Sequence, residues 1–257
     1  MDRRHALRAA AALAVGAVPA TGCTARGAPH GAGPTGAIAG NATAAPSTAS
    51  PPHGLSRPVP AEVTHGPRDR PAVALTFHGQ GEAHTTRALL GELERGGARV
   101  TVLAVGSWLQ EQPAIARRIL DGGHELGNHT QNHLDISGLG PADALAEITG
   151  CAQLLQRLTG SIGTWFRPSQ TRRCAAPLRA QAQRVGYPSC LSYDVDSLDH
   201  TDPGAAAIVG TVGAAVRNGS IISLHCGHPG TVAAMPALLE LLRGRGLRPV
   251  TMRELMA

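Results

Sequence analysis

Between Pro71 and Val250 short apolar runs alternate with longer amphipathic stretches, and this alternation limits the fold more than any other feature of the chain. Val73-Ala74-Leu75-Thr76-Phe77 is a continuous apolar run, the pattern of a strand buried on both faces. Thr85 to Arg95 follows as a helix that stops at Gly96-Gly97. Further strands are expected at Arg99–Val105, His124–Leu126, Trp165–Phe166, Ser189–Asp194, Ser220–Leu224 and Arg248–Val250. Helices are expected from Pro113 to Gly122, Pro141 to Leu158, Pro177 to Val185, Ala205 to Arg217 and Val232 to Arg243. Strand and helix thus alternate about seven times, which predicts an α/β fold of parallel strands with helical crossovers, as an open sheet or a barrel.

Polar residues gather where the strands end. His78 follows the first strand, His129 and His133 the third, Arg167 the fourth, Asp194, Asp196 and Asp199 the fifth, and His225 the sixth. In a parallel barrel those ends meet on one face, where chemistry is carried out. His129 and His133 stand four apart, a gap that on a helical turn brings two imidazoles to one side, close enough to share a metal ion.

Composition sets the surroundings. A chain of 257 residues with 42% hydrophobic residues is long enough for one sizeable domain with appendages. The net charge of +5 is carried without basic blocks, and with two Trp, two Tyr and two Phe there is little to stack on bases, so nucleic acid is a poor partner. Residues 1–23 read as an export signal: Arg3 and Arg4, an apolar run from Ala9 to Pro19, then Ala20-Thr21-Gly22-Cys23, which resembles a bacterial lipobox. The expectation is a lipid anchor at Cys23 as the sole membrane attachment, on the outer face of the cytoplasmic membrane; the alternative is secretion. Residues 24–70, rich in Ala, Gly, Pro, Ser and Thr, are expected to be a flexible tether, and 71–257 the folded domain. Cys151, Cys174, Cys190 and Cys226 would then lie in an oxidising compartment with three full pairings open.

Four motifs in this order resemble the polysaccharide deacetylase family, also called the NodB-homology domain or carbohydrate esterase family four. They are Gly122-Gly123-His124-Glu125-Leu126-Gly127-Asn128-His129-Thr130 with His133, Phe166-Arg167-Pro168, Asp194-Val195-Asp196-Ser197-Leu198-Asp199, and Ser220-Ile221-Ile222-Ser223-Leu224-His225. The resemblance implies a distorted (β/α) barrel of about seven parallel strands, a divalent metal, usually zinc, and hydrolysis of N- or O-linked acetyl groups on cell-wall or extracellular polysaccharide. It assigns His129 and His133 to the metal, His225 as general acid, Asp196 as the acid's partner, and Arg167 as the group that orients the base.

The first motif departs from the family. Where the family has Thr-Phe-Asp-Asp-Gly, this chain has Thr76-Phe77-His78-Gly79-Gln80. The first family aspartate is the base and the second the third metal ligand, so His78 is expected to serve as base or as ligand. Glu82 and His84 are further candidate ligands. Ser169-Gln170-Thr171 replaces a Pro-Tyr-Gly loop that helps form the oxyanion hole, and His200 replaces a tryptophan. The competing expectation is a degenerate barrel that binds glycan without catalysis.

Overall fold

The structure is a computed structural model and describes residues 59–257. The export signal, Cys23 and the tether up to residue 58 lie outside the described residues. In chain order the elements are β1 (Glu62–Val63), β2 (Ala72–Gly79), α1 (Ala83–Arg95), β3 (Thr101–Ala104), α2 (Gly106–Glu111), α3 (Pro113–Asp121), β4 (Glu125–Asn128), α4 (Pro141–Thr159), α5 (Ala176–Val185), β5 (Cys190–Leu191), β6 (Val195–Asp196), α6 (Ala205–Ala215), β7 (Ile221–His225), α7 (Pro229–Gly244), β8 (Arg248–Val250) and α8 (Met252–Met256).

Every strand pairing is parallel, as the alternation predicts, in the order β4-β3-β2-β7-β6 with β8 also on β2. Ala74 of β2 pairs with both Ile221 and Val250, so β8 lies on the edge opposite β7, below β3. Closure into a distorted barrel comes from irregular backbone. Phe166 bridges Asn128 on one side and Cys190 on the other. The run from Cys190 to Asp196 begins beside Phe166 and ends on β7, with Asp194 N–H donating to Ile221 O. The single strand expected over Ser189–Asp194 is therefore only the dipeptide β5, with a bend leading on to β6 beyond it, and Trp165–Phe166 contributes two isolated bridges at Phe166 rather than a ladder.

The tether expectation is corrected at its C-terminal end. Residues 62 and 63 form β1 and pair with Cys190 and Leu191. Gly66 N–H donates to Gly219 O at 2.7 Å, and the Arg68 guanidinium grips the Asp194 carboxylate at 2.7 Å. This segment fills the gap left where the bent run leaves β5 for β7. Its few apolar groups, read as insufficient for folding, understate a segment held by backbone bonds and one ion pair.

Strand alternation sorts the side chains into two layers. Val73, Leu75, Phe77, Ile222 and Leu224 face outward under α1, α6 and α7. Inside the barrel, Val63, Ala74, Leu103, Trp165, Leu191, Ile221 and Val250 make an apolar floor. Thr76, Arg167 and Ser223 stand above that floor, and His78 and His225 above them. The lower barrel is packed solid, and its C-terminal rim is polar.

Cys174 and Cys190 are disulfide-bonded, tying the loop after Arg167 to β5, while Cys151 and Cys226 are free and buried. Among the described residues no helix is long and apolar enough to cross a membrane.

Candidate metal and acid–base site

His78 is the penultimate residue of β2 and points into the barrel; its register partner on β7 is His225. Gly79 points the other way. A Cβ there would meet Val102 Cγ1 at 2.8 Å, Ala104 Cα at 2.9 Å and Trp108 Cζ3 at 2.9 Å. A carboxylate at position 79 would thus be driven into the core, and the strand alternation that hides it is what brings His78 into the site.

His129 follows β4 directly and is fully buried, its backbone N–H bonded to Ala104 O. The segment to His133 is not the helical turn that the spacing suggested. Thr130 has φ 70° and His133 φ 56°, and no helix forms there. The left-handed residues curl the loop so that the two rings still approach, with centroids 4.9 Å apart. Ser169 holds this loop from the side, its Oγ donating to Leu134 O at 2.5 Å and accepting from Thr130 Oγ1 at 3.1 Å.

His78, His129 and His133 each present a ring nitrogen, all within 4.8 Å of one another. His129 Nδ1–H donates to Arg167 O at 2.9 Å, which leaves Nε2 bare. His78 Nδ1 faces that bare nitrogen at 2.8 Å, and His78 Nε2 lies 3.0 Å from Ser223 Oγ. Two proton placements are open to the pair, and only the first satisfies it without an ion. In one, His78 Nδ1–H donates to His129 and the Ser223 hydroxyl donates to Nε2. In the other, His78 Nε2–H donates to Ser223, and two lone pairs converge. Lone pairs this close require a shared cation, and each ring then has its other nitrogen tied to a protein oxygen, the usual second-sphere arrangement of metal-bound histidine. The donor set therefore fits a divalent ion. Ser223 is the participant that sequence reading missed; the only signal for it was the even spacing that turns it, like His225, to the barrel interior.

Electrostatics keep these rings neutral. Burial, then the neighbouring His129 and Arg167, hold the pKa of His78 well below the ordinary imidazole value. Burial does the same for His129 and, more mildly, for His133. Neutral imidazole is the form that binds a metal.

Arg167 is buried, its Nη2 donating to Thr76 Oγ1 at 2.8 Å and to Ser192 O at 3.1 Å. Its Nη1 lies 3.4 Å from His78 Nε2. Burial lowers its pKa to about 10, so it stays charged. Among the described residues no carboxylate comes within ion-pair distance of Arg167 or of His78.

The partner expected for His225 is corrected. His225 Nδ1 lies 2.7 Å from Asp199 Oδ1, and Asp199 Oδ2 accepts from the His225 backbone N–H and from Thr231 Oγ1. Burial pushes the Asp199 pKa up, but the hydrogen bonds from His225 and Thr231 outweigh it and hold the carboxyl below the ordinary carboxylate range. Asp196 on β6 instead accepts from Tyr193 Oη at 3.3 Å and from the Leu198 backbone N–H at 3.1 Å. The motif contains three aspartates, and only the short turn at Asp199–Thr201 brings one of them under His225. The rings of His78 and His225 stack at 4.4 Å, joining the three-histidine cluster to the His225–Asp199 pair.

Glu82 and His84, at the start of α1, are not part of the cluster; His84 bonds to Thr85. Cys226 faces the outer core, and burial raises its thiol pKa far above neutrality, so it is no ligand.

A family model for polysaccharide deacetylases matches residues 65–189. Among curated relatives, a peptidoglycan-N-acetylglucosamine deacetylase of Bacillus cereus is 30% identical over 194 residues, covering 74% of this chain and 90% of that protein. YlxY of Bacillus subtilis is 25% identical over 199 residues, a match spanning 77% of this chain and 61% of YlxY. Among solved structures, the Bc1960 peptidoglycan N-acetylglucosamine deacetylase superposes with a TM-score of 0.71 at 25% identity, covering 76% of this chain and 92% of that one. The wild-type BA3943 protein of Bacillus anthracis, described as a pseudoenzyme of the CE4 family, shares the fold with a TM-score of 0.73 at 20% identity, covering 77% and 70%.

Proposed function

Because the chain belongs to the polysaccharide deacetylase family, we propose that it is a metal-dependent hydrolase removing acetyl groups from cell-wall or extracellular polysaccharide. His78, His129 and His133 hold the ion, and three imidazole nitrogens suit zinc. When bound there, a divalent ion supplies Lewis-acid chemistry toward water and an acyl carbonyl. The observation that carries the reading is the pair of nitrogens of His78 and His129 meeting at 2.8 Å beside a third imidazole.

This assignment uses His78 as a ligand and leaves the place of the family's base without a carboxylate. His225 then serves twice. With Nδ1–H donating to Asp199, its Nε2 is bare and takes a proton from the attacking water. The imidazolium so formed is stabilised by Asp199, and it returns that proton to the departing sugar nitrogen or oxygen, leaving acetate. Arg167 holds His129 through its carbonyl, and its charge adds to the burial that keeps His78 neutral.

Acetate release from N-acetylated chitooligosaccharide and from peptidoglycan tests the proposal. Wild-type protein loaded with zinc is expected to release acetate, and Asp199→Asn to lose roughly 100-fold or more of the rate with the fold intact. A folded, zinc-loaded protein that releases none from either substrate contradicts it. That outcome supports the second reading, a glycan-binding barrel without catalysis, which is favoured by the missing carboxylates at positions 78 and 79. For location, the proposal is export with a lipid on Cys23, so Cys23→Ser should move the protein from membrane to soluble fractions. Unchanged membrane association contradicts the anchor.

A further inference from the structure

The polar rim holds a second set of metal donors, distinct from the three imidazoles above. Asp199, His200 and His225 each present a ligand atom, all within 4.8 Å of one another. Their placement follows from local backbone. Leu198 at φ 58° and Asp202 at φ 51° bracket the turn Asp199–Thr201, a pair of left-handed residues that reverses the chain over His225. Asp199 enters from beneath, fully buried, with Oδ2 fixed by the His225 backbone N–H and by Thr231 Oγ1. Its Oδ1 is turned to the His225 ring at 2.7 Å. His200, the next residue, comes from the solvent side, its ring centroid 5.4 Å from that of His225. His228 is close, at 5.7 Å from His225, but its Nδ1 is held by Asp202 at 2.8 Å.

We infer that Asp199, His200 and His225 form a second, weaker site for a divalent transition-metal ion such as zinc, and that filling it shuts the site down. One carboxylate oxygen and two imidazole nitrogens are a sufficient protein donor set, with water completing the shell. The carboxylate is already aimed by its outer hydrogen bonds, as second-sphere partners aim a ligand. The exposed His200 must turn and the Asp199–His225 hydrogen bond at 2.7 Å must open to complete the set, and these two costs make this site weaker than the first.

The binding claim stands on this geometry alone; the inhibition rests on the acid–base role proposed for His225. An ion between Asp199 and His225 replaces the hydrogen bond between them and occupies Nδ1. The ring is then neutral, with its remaining proton on Nε2, and it no longer accepts a proton from water. The stack of His78 on His225 at 4.4 Å places the two ions in one cleft, so the same metal both enables and, in excess, arrests turnover.

Isothermal titration of the full-length protein with zinc chloride tests this, on wild type, His200→Ala and His133→Ala. Wild type should show two steps, the weaker at least about 10-fold above the tighter in Kd. His200→Ala should lose the weaker step and keep the tighter, and His133→Ala should do the reverse. Acetate release should fall in wild type as the weaker step fills, and His200→Ala should resist that fall. A single step in wild type, or a second step that survives His200→Ala, overturns the second site. If His133→Ala leaves the tighter step unchanged while His200→Ala removes the weaker, the second site stands and the three-histidine centre is what fails.

Discussion

At position 78 an imidazole stands where the resemblance to the polysaccharide deacetylase family implies a carboxylate, and its neighbours decide what it does. Ser223 is the deciding neighbour. If His78 binds metal through Nδ1, Ser223 accepts its other ring proton, and Ser223→Ala should weaken zinc binding by about 10-fold or more. Calorimetry on the folded variant measures this, and an unchanged Kd would mean that Ser223 does not set the tautomer of His78. Position 79 makes the complementary point. Restoring an aspartate there places a Cβ 2.8 Å from Val102 Cγ1 and pushes a charge toward Trp108. Gly79→Asp should therefore cost about 1–3 kcal/mol or more from overpacking, with no gain in zinc affinity. Chemical denaturation beside zinc titration checks both halves, and a variant that binds zinc more tightly would show that the strand end turns inward.

At the scale of elements, the strand ends were legible because parallel strands announce themselves as apolar runs between helices, and β2, β3, β4 and β7 stand close to where the alternation puts them. The irregular half of the barrel was not legible. Phe166, the bend between β5 and β6, and β1 contribute one or two backbone bonds each, too few to leave a periodic pattern. For the same reason Asp199, positioned by a three-residue turn, could not be told from Asp196, positioned by a strand. The wedge of β1 carries a prediction. A chain beginning at Pro71 loses the pairing with β5, the Gly66–Gly219 hydrogen bond and the Arg68–Asp194 pair, whereas one beginning at Val59 keeps them. The shorter chain should melt at least about 2–4 °C lower, the shift expected for roughly each 1 kcal/mol lost in a domain of this size. Equal melting temperatures would return residues 59–70 to the tether.

For the molecule as a whole, the packed floor and polar rim of the barrel collect buried neutral histidines at one end. Burial lowers the pKa of His78, His129 and His133 in the folded protein, whereas in the unfolded chain they titrate near 6.5. Below that value the unfolded chain binds protons that the folded chain refuses, so stability is lost as pH falls from about 6.5. Metal-free protein should lose up to about 1.4 kcal/mol per pH unit for each such imidazole, seen as a falling denaturation midpoint between pH 7 and pH 5. A midpoint flat across that range would mean that the rings are protonated or exposed in the folded state. The central claim is that His78, whose role the sequence left open between base and ligand, completes a metal centre. Zinc titration of wild type and His78→Ala, with circular dichroism to confirm folding, tests it most directly. Loss of the tighter binding step by at least about 10-fold in Kd is the result expected of a ligand. An unchanged Kd in a folded variant that has lost acetate release would contradict it, and would make His78 the base instead.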